Sequence, residues 1–513
     1  MFEVPAPRLT YPERGPRAVA RVLWRVGDLA TMDEPSQPNR PGGPPHNASI
    51  PFSPRYFARR TIVPAELPGI MRRHIYTGAL GNVWGFLISG IFFVYYGNAV
   101  GMNAFDWGVL GGLSSIFLTA ELFGARLTRR VGRRKWLWFY FALTSRCVRL
   151  AGVLISWWLF THGLHGAVAA LTLSVSLSSL FGALSTPPWM SWLADLIPTE
   201  RHGRFMARRT WWINISVIAA VVPAAWLIDT IPDQGNMKLN MSVAIFVVAT
   251  AIGLADLFIH GTIPEPKMAP PKEDADFGEQ LLEPLRDRRY RQWLTFVALW
   301  TFGMSLGGSM MMVYLVGDLG IKDDMLVGTI VIIVLGQLGV LLGSRKYGYF
   351  VDRFGVKPVL FWGHVGWAFF PFLWFWASKE NAIYLVGLAS FAAGSAANAA
   401  VIAANKLITR YPPAGHRVAT YSAVSNCVSY VSSALAWFTA GTIVWLVGPG
   451  HIERWGISFC AFHVLFGISF FLRLSFALFL VPRIKVPEHL EEQQKVEGEA
   501  EESKGDWLSM LRP

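Results

Sequence analysis

The chain has 513 residues, of which 53% are hydrophobic and 16% charged, and its mean hydropathy is +0.37. Those values exclude an ordinary soluble protein and fit a membrane protein. A net charge of +12 does not make nucleic acid an expected partner, because the basic residues lie between apolar runs rather than in one patch.

The first 70 residues contain no apolar h-region and are rich in Pro and Arg, as in Arg40-Pro-Gly-Gly-Pro-Pro45. They read as a disordered cytoplasmic tail, residues 1–70, in which Met32 is a second candidate start and Asn47-Ala-Ser49 a chance sequon. A membrane-spanning helix needs roughly 20 mostly apolar residues. Candidate spans then fall near 75–97, 105–127, 136–160, 165–193, 209–229 and 241–263. They resume near 292–315, 323–343, 358–378, 381–405, 417–447 and 455–481. Between the two sets, Pro264-Glu-Pro-Lys-Met-Ala-Pro-Pro271 and a mixed-charge stretch to Arg291 form the longest polar interruption. The expected organisation is therefore a half at 71–263, a cytoplasmic linker at 264–291, a half at 292–482 and an acidic cytoplasmic tail at 483–513. Cys147, Cys427 and Cys460 lie inside apolar runs without metal or disulfide spacing and read as packing residues; no metal site is expected.

Basic residues set the orientation. One set of loops carries Arg72 and Arg73, Arg126 through Lys135, Arg201 to Arg209, Arg286 to Arg291, Arg345 to Lys357, and Lys406, Arg410 and Arg417. The alternate loops offer Lys238, Lys322, Lys379 and Arg454, among Asp229, Asp233, Asp318, Asp323 and Asp324. Both termini are expected on the cytoplasmic side of the inner membrane, which requires an even number of spans; twelve fits.

A loop signature occurs twice, about 220 residues apart. The second copy reads Gly348-Tyr-Phe-Val-Asp352-Arg353-Phe-Gly355-Val-Lys357, and the first reads Ala125-Arg-Leu-Thr-Arg129-Arg130-Val-Gly132-Arg133-Arg134-Lys135. Upstream, Val94-Tyr95 with Gly101 is echoed by Val313-Tyr314 with Gly320 at nearly the same offset, which marks the halves as parallel repeats. The second copy resembles the Gly-x-x-x-Asp-Arg-x-Gly loop motif of the major facilitator superfamily, and the resemblance covers nearly all of the hydrophobic region. It implies an all-α membrane protein with twelve transmembrane helices in two pseudo-symmetric six-helix halves. It also implies a gate, in which glycines permit close approach while Asp and Arg form charge-assisted bonds that break as the halves rock. Gly348, Asp352, Arg353, Gly355 and Lys357 match that motif. In the first copy Arg129, Arg130, Gly132 and Arg133 supply the basic run, but Ala125 and Arg129 stand where Gly and Asp belong. Asp195, in Trp192-Leu-Ala-Asp195-Leu-Ile-Pro198, is the nearest acid by topology and is expected to serve Arg129 and Arg130.

Charges at mid-membrane are costly and need an explanation. Arg146 lies roughly 16 Å in from Lys135 and Asp256 roughly 12 Å from Pro264, at about 1.5 Å per residue, so their depths nearly match. In the family the third and sixth spans are neighbouring supports, so a structural ion pair is expected, with a substrate-anion site as the alternative. Glu121 reads either as a proton-coupling group or as a partner of Arg126 or Arg129, and Arg473 is expected to snorkel. The resemblance places Asn82, Trp84, Trp300, Gln337, Asn398 and Asn426 toward a solute cavity, although such groups also serve as interhelical hydrogen bonds.

The chain is expected to be a secondary transporter of a small solute, working by alternating access as a monomer in the lipid bilayer. No cofactor or enzymatic activity is expected, and coupling to H+ or Na+ is open. A transporter-like sensor or scaffold is one rival. A polytopic enzyme is a weaker one, since no Asp-x-Asp lies in 229–240 or 317–325. No Gly-x-x-x-x-Gly-Lys-Ser/Thr motif is present, which disfavours ATP-driven transport.

Overall fold

The computed structural model describes residues 62–267, 277–320, 324–408, 418–448, 450–454 and 457–485. Met32, the Asn47 sequon, most of both tails, the middle of the linker, Lys322, Asp323, Arg410 and Arg417 lie outside the described residues. Among the described residues twelve helices are long and apolar enough to cross a membrane. Spans 1 to 6 are Pro64–Ala99, Ala104–Val131, Arg134–Thr161, Ala167–Leu196, Phe205–Thr230 and Met237–His260. Spans 7 to 12 are Arg288–Val316, Met325–Gly343, Val356–Phe375, Ala382–Ile408, Thr420–Val447 and Ala461–Arg483.

Helix pairing repeats with an offset of six. Span 1 packs on spans 5 and 6, span 4 on spans 2 and 3, and span 3 on span 6. Correspondingly, span 7 packs on spans 11 and 12, span 10 on spans 8 and 9, and span 9 on span 12. The two bundles meet through span 2 against span 11, span 5 against span 8, and the second segment of span 1 against span 7. Close approach of spans 2 and 11 depends on glycine: a Cβ added to Gly108 would stand 2.8 Å from the Gly441 Cα.

Both signatures end a helix at a glycine with positive φ. Helix Glu121–Val131 stops at Gly132 with φ 63°, and helix Leu335–Phe354 stops at Gly355 with φ 89°. A side chain there would be strained, so glycine fixes the turn. Asp352 and Arg353 thus belong to the last turn of a helix rather than to a loop.

Spans 1, 2 and 9 are each broken into two α-helices, and an arginine serves the break in spans 1 and 9. Span 1 consists of Leu67–Leu87 and Gly90–Ala99, and the Ile88 carbonyl accepts from Arg149 Nη2 at 2.9 Å. Span 9 consists of Val356–Ala368 and Phe370–Phe375. Pro371 has no N–H to offer the carbonyl four residues back, and that carbonyl, of Trp367, accepts from Arg473. Arg473 is 1% exposed, so it does not snorkel as expected; the orphaned carbonyl holds it inside.

The last span starts later than the apolar run suggests. Ile452–Arg454 (β1) and Ile457–Phe459 (β2) pair antiparallel, with Ile452 opposite Phe459. The final helix then begins after Cys460, whose backbone N–H donates to His463 Nδ1 at 3.1 Å. A short run with β-branched and aromatic residues cannot be told from a helix start by hydropathy alone.

Candidate functional site

A group of buried charge lies in the first bundle, where spans 1, 3, 5 and 6 converge toward the linker side. Arg146 Nη2 contacts Asp256 Oδ2 at 2.6 Å, with the two side chains 9% and 7% exposed. The Arg146 guanidinium lies 4.7 Å from the centre of the Trp84 ring. Room for these groups comes from span 1: a Cβ on Gly81 would fall 2.8 Å from Asp256 Oδ2, and one on Gly78 would fall 2.8 Å from Arg209 Nε. His74 and His260 face each other edge-on at 4.4 Å between ring centres, and Thr77 Oγ1 is 2.8 Å from His260 Nδ1.

A cavity of about 180 Å³ opens against this cluster, lined by Thr77, Asn82, Arg146, Arg209, Asp256 and His260 among others. Arg146 Nη1 and Arg209 Nε are buried there without a hydrogen-bond partner. Two guanidinium groups against one carboxylate leave the cluster net positive, with donors to spare. Such an arrangement can accept an anionic or strongly polar group.

The repeat carries a counterpart. Trp84, Arg146 and Asp256 are matched about 217 residues later by Trp300, His364 and Arg473. Arg473 lies 5.2 Å from the Trp300 ring centre, and the His364 ring stands edge-on to Trp300 at 4.4 Å. The tryptophan and the positions are kept, whereas the carboxylate is not.

Glu121 joins the bundles. Its Oε1 accepts from Asn426 Nδ2 at 3.2 Å and its Oε2 from Tyr430 Oη at 2.8 Å, so span 2 holds span 11 there. The remaining cavity candidates are more local. Asn82 Nδ2 donates to the Gly78 carbonyl at 2.8 Å, and Asn398 Nδ2 donates from span 10 to the Val340 carbonyl at 3.3 Å. Gln337 is half-buried on the helix Leu335–Phe354.

At the linker-side ends each bundle fastens its own helices. Asp352 Oδ1 contacts Lys406 Nζ at 2.7 Å, within the second bundle rather than across to the first. Arg353 Nη1 donates to Tyr349 Oη at 2.7 Å. In the first bundle Arg134, fully buried, is the hub: its Nη1 contacts Asp195 Oδ2 at 2.5 Å and its Nη2 donates to the Pro266 carbonyl at 2.9 Å. Its backbone N–H donates to Glu265 Oε1 at 2.8 Å. Asp195 therefore contacts Arg134, four residues beyond Arg130 and at the start of the next helix, where Arg129 and Arg130 are the expected partners. Arg133 precedes that helix as its N-cap, and Arg129 and Arg130 close the preceding helix. Glu265 gave no sequence signal beyond being a single acid between two prolines; only the fold brings it to Arg134.

On the opposite side Asp229, at the end of span 5, accepts from the backbone N–H groups of Met325 and Leu326 at 2.9 and 2.7 Å. A carboxylate against the first turn of a helix complements its free N–H groups and dipole. This cross-bundle contact had been visible only as an acid in an outer loop. Nearby, Asp318 and His451 are 3.2 Å apart. Burial raises the Asp318 carboxyl and His451 counteracts it, while burial pushes the Cys460 thiol up to about 11.

A family model for the Major Facilitator Superfamily matches residues 75–347. The sequence matches no curated protein. Among solved structures, the nucleoside transporter NupG superposes with TM-score 0.57 at 12% identity, covering 82% of this chain and 99% of that one. The D-xylose-proton symporter gives 0.58 at 17%, covering 81% and 97%. The inward open conformation of the xylose transporter XylE from E. coli gives 0.58 at 15%, covering 84% and 99%. At such identities these likenesses concern the fold.

Proposed function

Because the chain belongs to the Major Facilitator Superfamily, we propose that it is a secondary transporter moving a small solute with an anionic group across the cytoplasmic membrane by alternating access. The observation that carries the solute class is the cavity in which Arg146 Nη1 and Arg209 Nε are buried without partners beside Asp256. The cavity's volume of about 180 Å³ suits a small group or the charged end of a larger solute. Both termini face the cytoplasm in this reading, and the protein works as a monomer. Asp229 against the start of span 8 is the contact that closes the side opposite the linker, while Asp352, Arg353 and the Arg134 hub order the linker-side ends. Glu121 is the carboxylate on which coupling to H+ rests, since it sits between the bundles where rocking changes its partners. The structurally similar D-xylose-proton symporter makes H+ a coupling ion of the same kind to test before Na+.

A panel of anionic and neutral solutes scored by thermal stabilisation of the purified protein tests the solute class, because a ligand that binds only the folded state raises its apparent stability. Stabilisation by carboxylates, sulfonates or phosphate esters, lost in Arg209→Gln, is expected. Stabilisation by neutral sugars or nucleosides alone would overturn the anionic assignment. Flux of the stabilising solute in proteoliposomes separates a transporter from a sensor that binds without moving it.

A further inference from the structure

We propose that Asp318, His451 and Cys460 form a binding site for a divalent transition metal of borderline softness, zinc being the best chemical match, on the face opposite the linker. The site does not depend on the transport reading. It is the one group among the described residues in which three metal-ligating side chains offer atoms within 4.8 Å of one another.

Its parts come from three separate stretches of chain. Asp318 follows the end of span 7, His451 precedes β1, and Cys460 sits between β2 and span 12. Their convergence is a product of the fold, not of a local motif, which is why spacing did not reveal it. Cys460 reads as a packing residue inside a span; it is packed in the core, but the β1–β2 pair puts it at the N-cap of the final helix rather than within the span.

The donor set is one carboxylate oxygen, one imidazole nitrogen and one thiolate sulfur. Thiolate and imidazole select zinc-like ions over calcium or magnesium, which prefer oxygen alone. With Asp and Cys both ionised and His neutral, the protein charge of the site is two negatives, which a divalent ion neutralises. Three protein ligands leave a fourth tetrahedral position for water. Ligand atoms up to 4.8 Å apart must draw in modestly to reach bond lengths of about 2.0–2.3 Å. His451 supplies this movement, since its side chain is 44% exposed, whereas Cys460 is 8% exposed and fixed.

Behind Cys460 a chain of polar side chains is already in place. His463 Nδ1 is 3.3 Å from Cys460 Sγ, and His463 Nε2 is 3.3 Å from Tyr314 Oη. Tyr314 in turn donates to the Ala377 carbonyl at 3.0 Å. Partners of this kind orient a ligating group and exclude bulk water behind it. The exposed side, through His451, is the entry path for the ion.

The test uses the full chain with any histidine tag removed. Competition with a chromophoric zinc chelator should give one zinc per chain. Cobalt in its place should show thiolate-to-metal charge-transfer absorption. Cys460→Ser should abolish that absorption and weaken zinc binding by about ten-fold or more, while a Cys147→Ser, Cys427→Ser double variant keeps both. Because Cys460 is buried and its replacement can harm folding, His451→Ala at an exposed position is the second variant, with a similar loss expected. No zinc bound in the wild type at micromolar concentration overturns the proposal, as does binding that survives both Cys460→Ser and His451→Ala, or a cobalt complex without sulfur absorption.

Discussion

The two bundles share a helix-pairing scheme and differ in where they put charge. In the first, Trp84 supports Arg146 and Asp256, a paired cation and anion beside a third charge on Arg209. In the second, Trp300 supports Arg473 and the neighbouring His364, and Arg473 bonds a carbonyl rather than a carboxylate. The same inversion occurs at the linker-side ends. There the acid sits on span 4 and the base at the start of span 3 in one bundle, as Asp195 and Arg134. In the other the acid is Asp352, at the end of the span 8 helix, and the base is Lys406 on span 10. Packing positions are thus kept while their electrostatics diverge. Helix packing constrains volume at each site, and the acceptor facing the buried cation differs: a carboxylate that also neutralises Arg146 in one bundle, a neutral carbonyl that only accepts from Arg473 in the other. Buried donors without partners occur in both bundles, Arg146 Nη1 and Arg209 Nε in the first and Arg473 Nε and Trp300 Nε1 in the second; solute recognition is proposed for the first because its two guanidinium groups line a cavity.

The sharpest way to break this comparison is to remove one member of the buried pair. Asp256→Asn leaves Arg146 charged, buried and short of its counter-ion, and should destabilise the protein by about 3–5 kcal/mol. Replacing both, Arg146→Met with Asp256→Leu, removes the orphan and should recover much of that loss. Thermal unfolding of the purified variants measures both. Equal instability of single and double variants would show that the cost is packing alone.

Arg473→Leu addresses the second bundle in the same way. It gives up one charge-assisted bond to Trp367 and the stacking on Trp300, but it leaves no acid orphaned and relieves a buried cation. The expected loss is no more than about 2 kcal/mol. A loss as large as that of Asp256→Asn would erase the distinction between the bundles and show that the break in span 9 cannot persist without its arginine.

Much of this architecture was legible in the sequence. Long apolar runs, a polar break and two glycine-ended signatures determine spans and repeats because membrane helices must satisfy their backbone internally. Depth along a helix could also be counted, which put Arg146 and Asp256 at similar levels. What could not be read depends on contacts between distant segments. Glu265 reaches Arg134 only after span 6 returns beside span 3. Glu121 finds Asn426 and Tyr430 only once the packing of spans 2 and 11 fixes their register. Hydropathy misassigned Cys460 because a short strand pair and a helix start look alike over a few residues. Arg473 was expected at the interface because snorkelling is the common solution for a lone cation, and the carbonyl freed by Pro371 is not visible without the fold.

Glu121 lies where the bundles touch, so its neutralisation tests motion more than stability. Glu121→Gln keeps the shape but weakens two charge-assisted bonds, each worth roughly 1.5–3 kcal/mol when the acceptor is charged. If Glu121 carries the coupling proton, a pH gradient should no longer drive accumulation in proteoliposomes, while exchange of labelled for unlabelled solute continues. Gradient-driven uptake at the wild-type rate would remove Glu121 from coupling and leave it as a tie between spans 2 and 11.

The smallest stability effect is expected at Asp352. Its partner Lys406 belongs to the same bundle, and the two side chains are 60% and 27% exposed. An ion pair so open to water is screened and contributes no more than about 1 kcal/mol, so Asp352→Asn should leave the unfolding temperature nearly unchanged. Transport should respond differently. If the linker-side ends close against each other during the cycle, Asp352 must exchange Lys406 for groups of the first bundle, and removing its charge disfavours only that closed state. A bias of roughly 1.4 kcal/mol between two states already shifts their ratio ten-fold. Flux should therefore fall several-fold in a variant that is as stable as the wild type. Unchanged flux would mean that the Lys406 contact is all that Asp352 makes, and that the signature in this chain fixes the end of a helix without gating it.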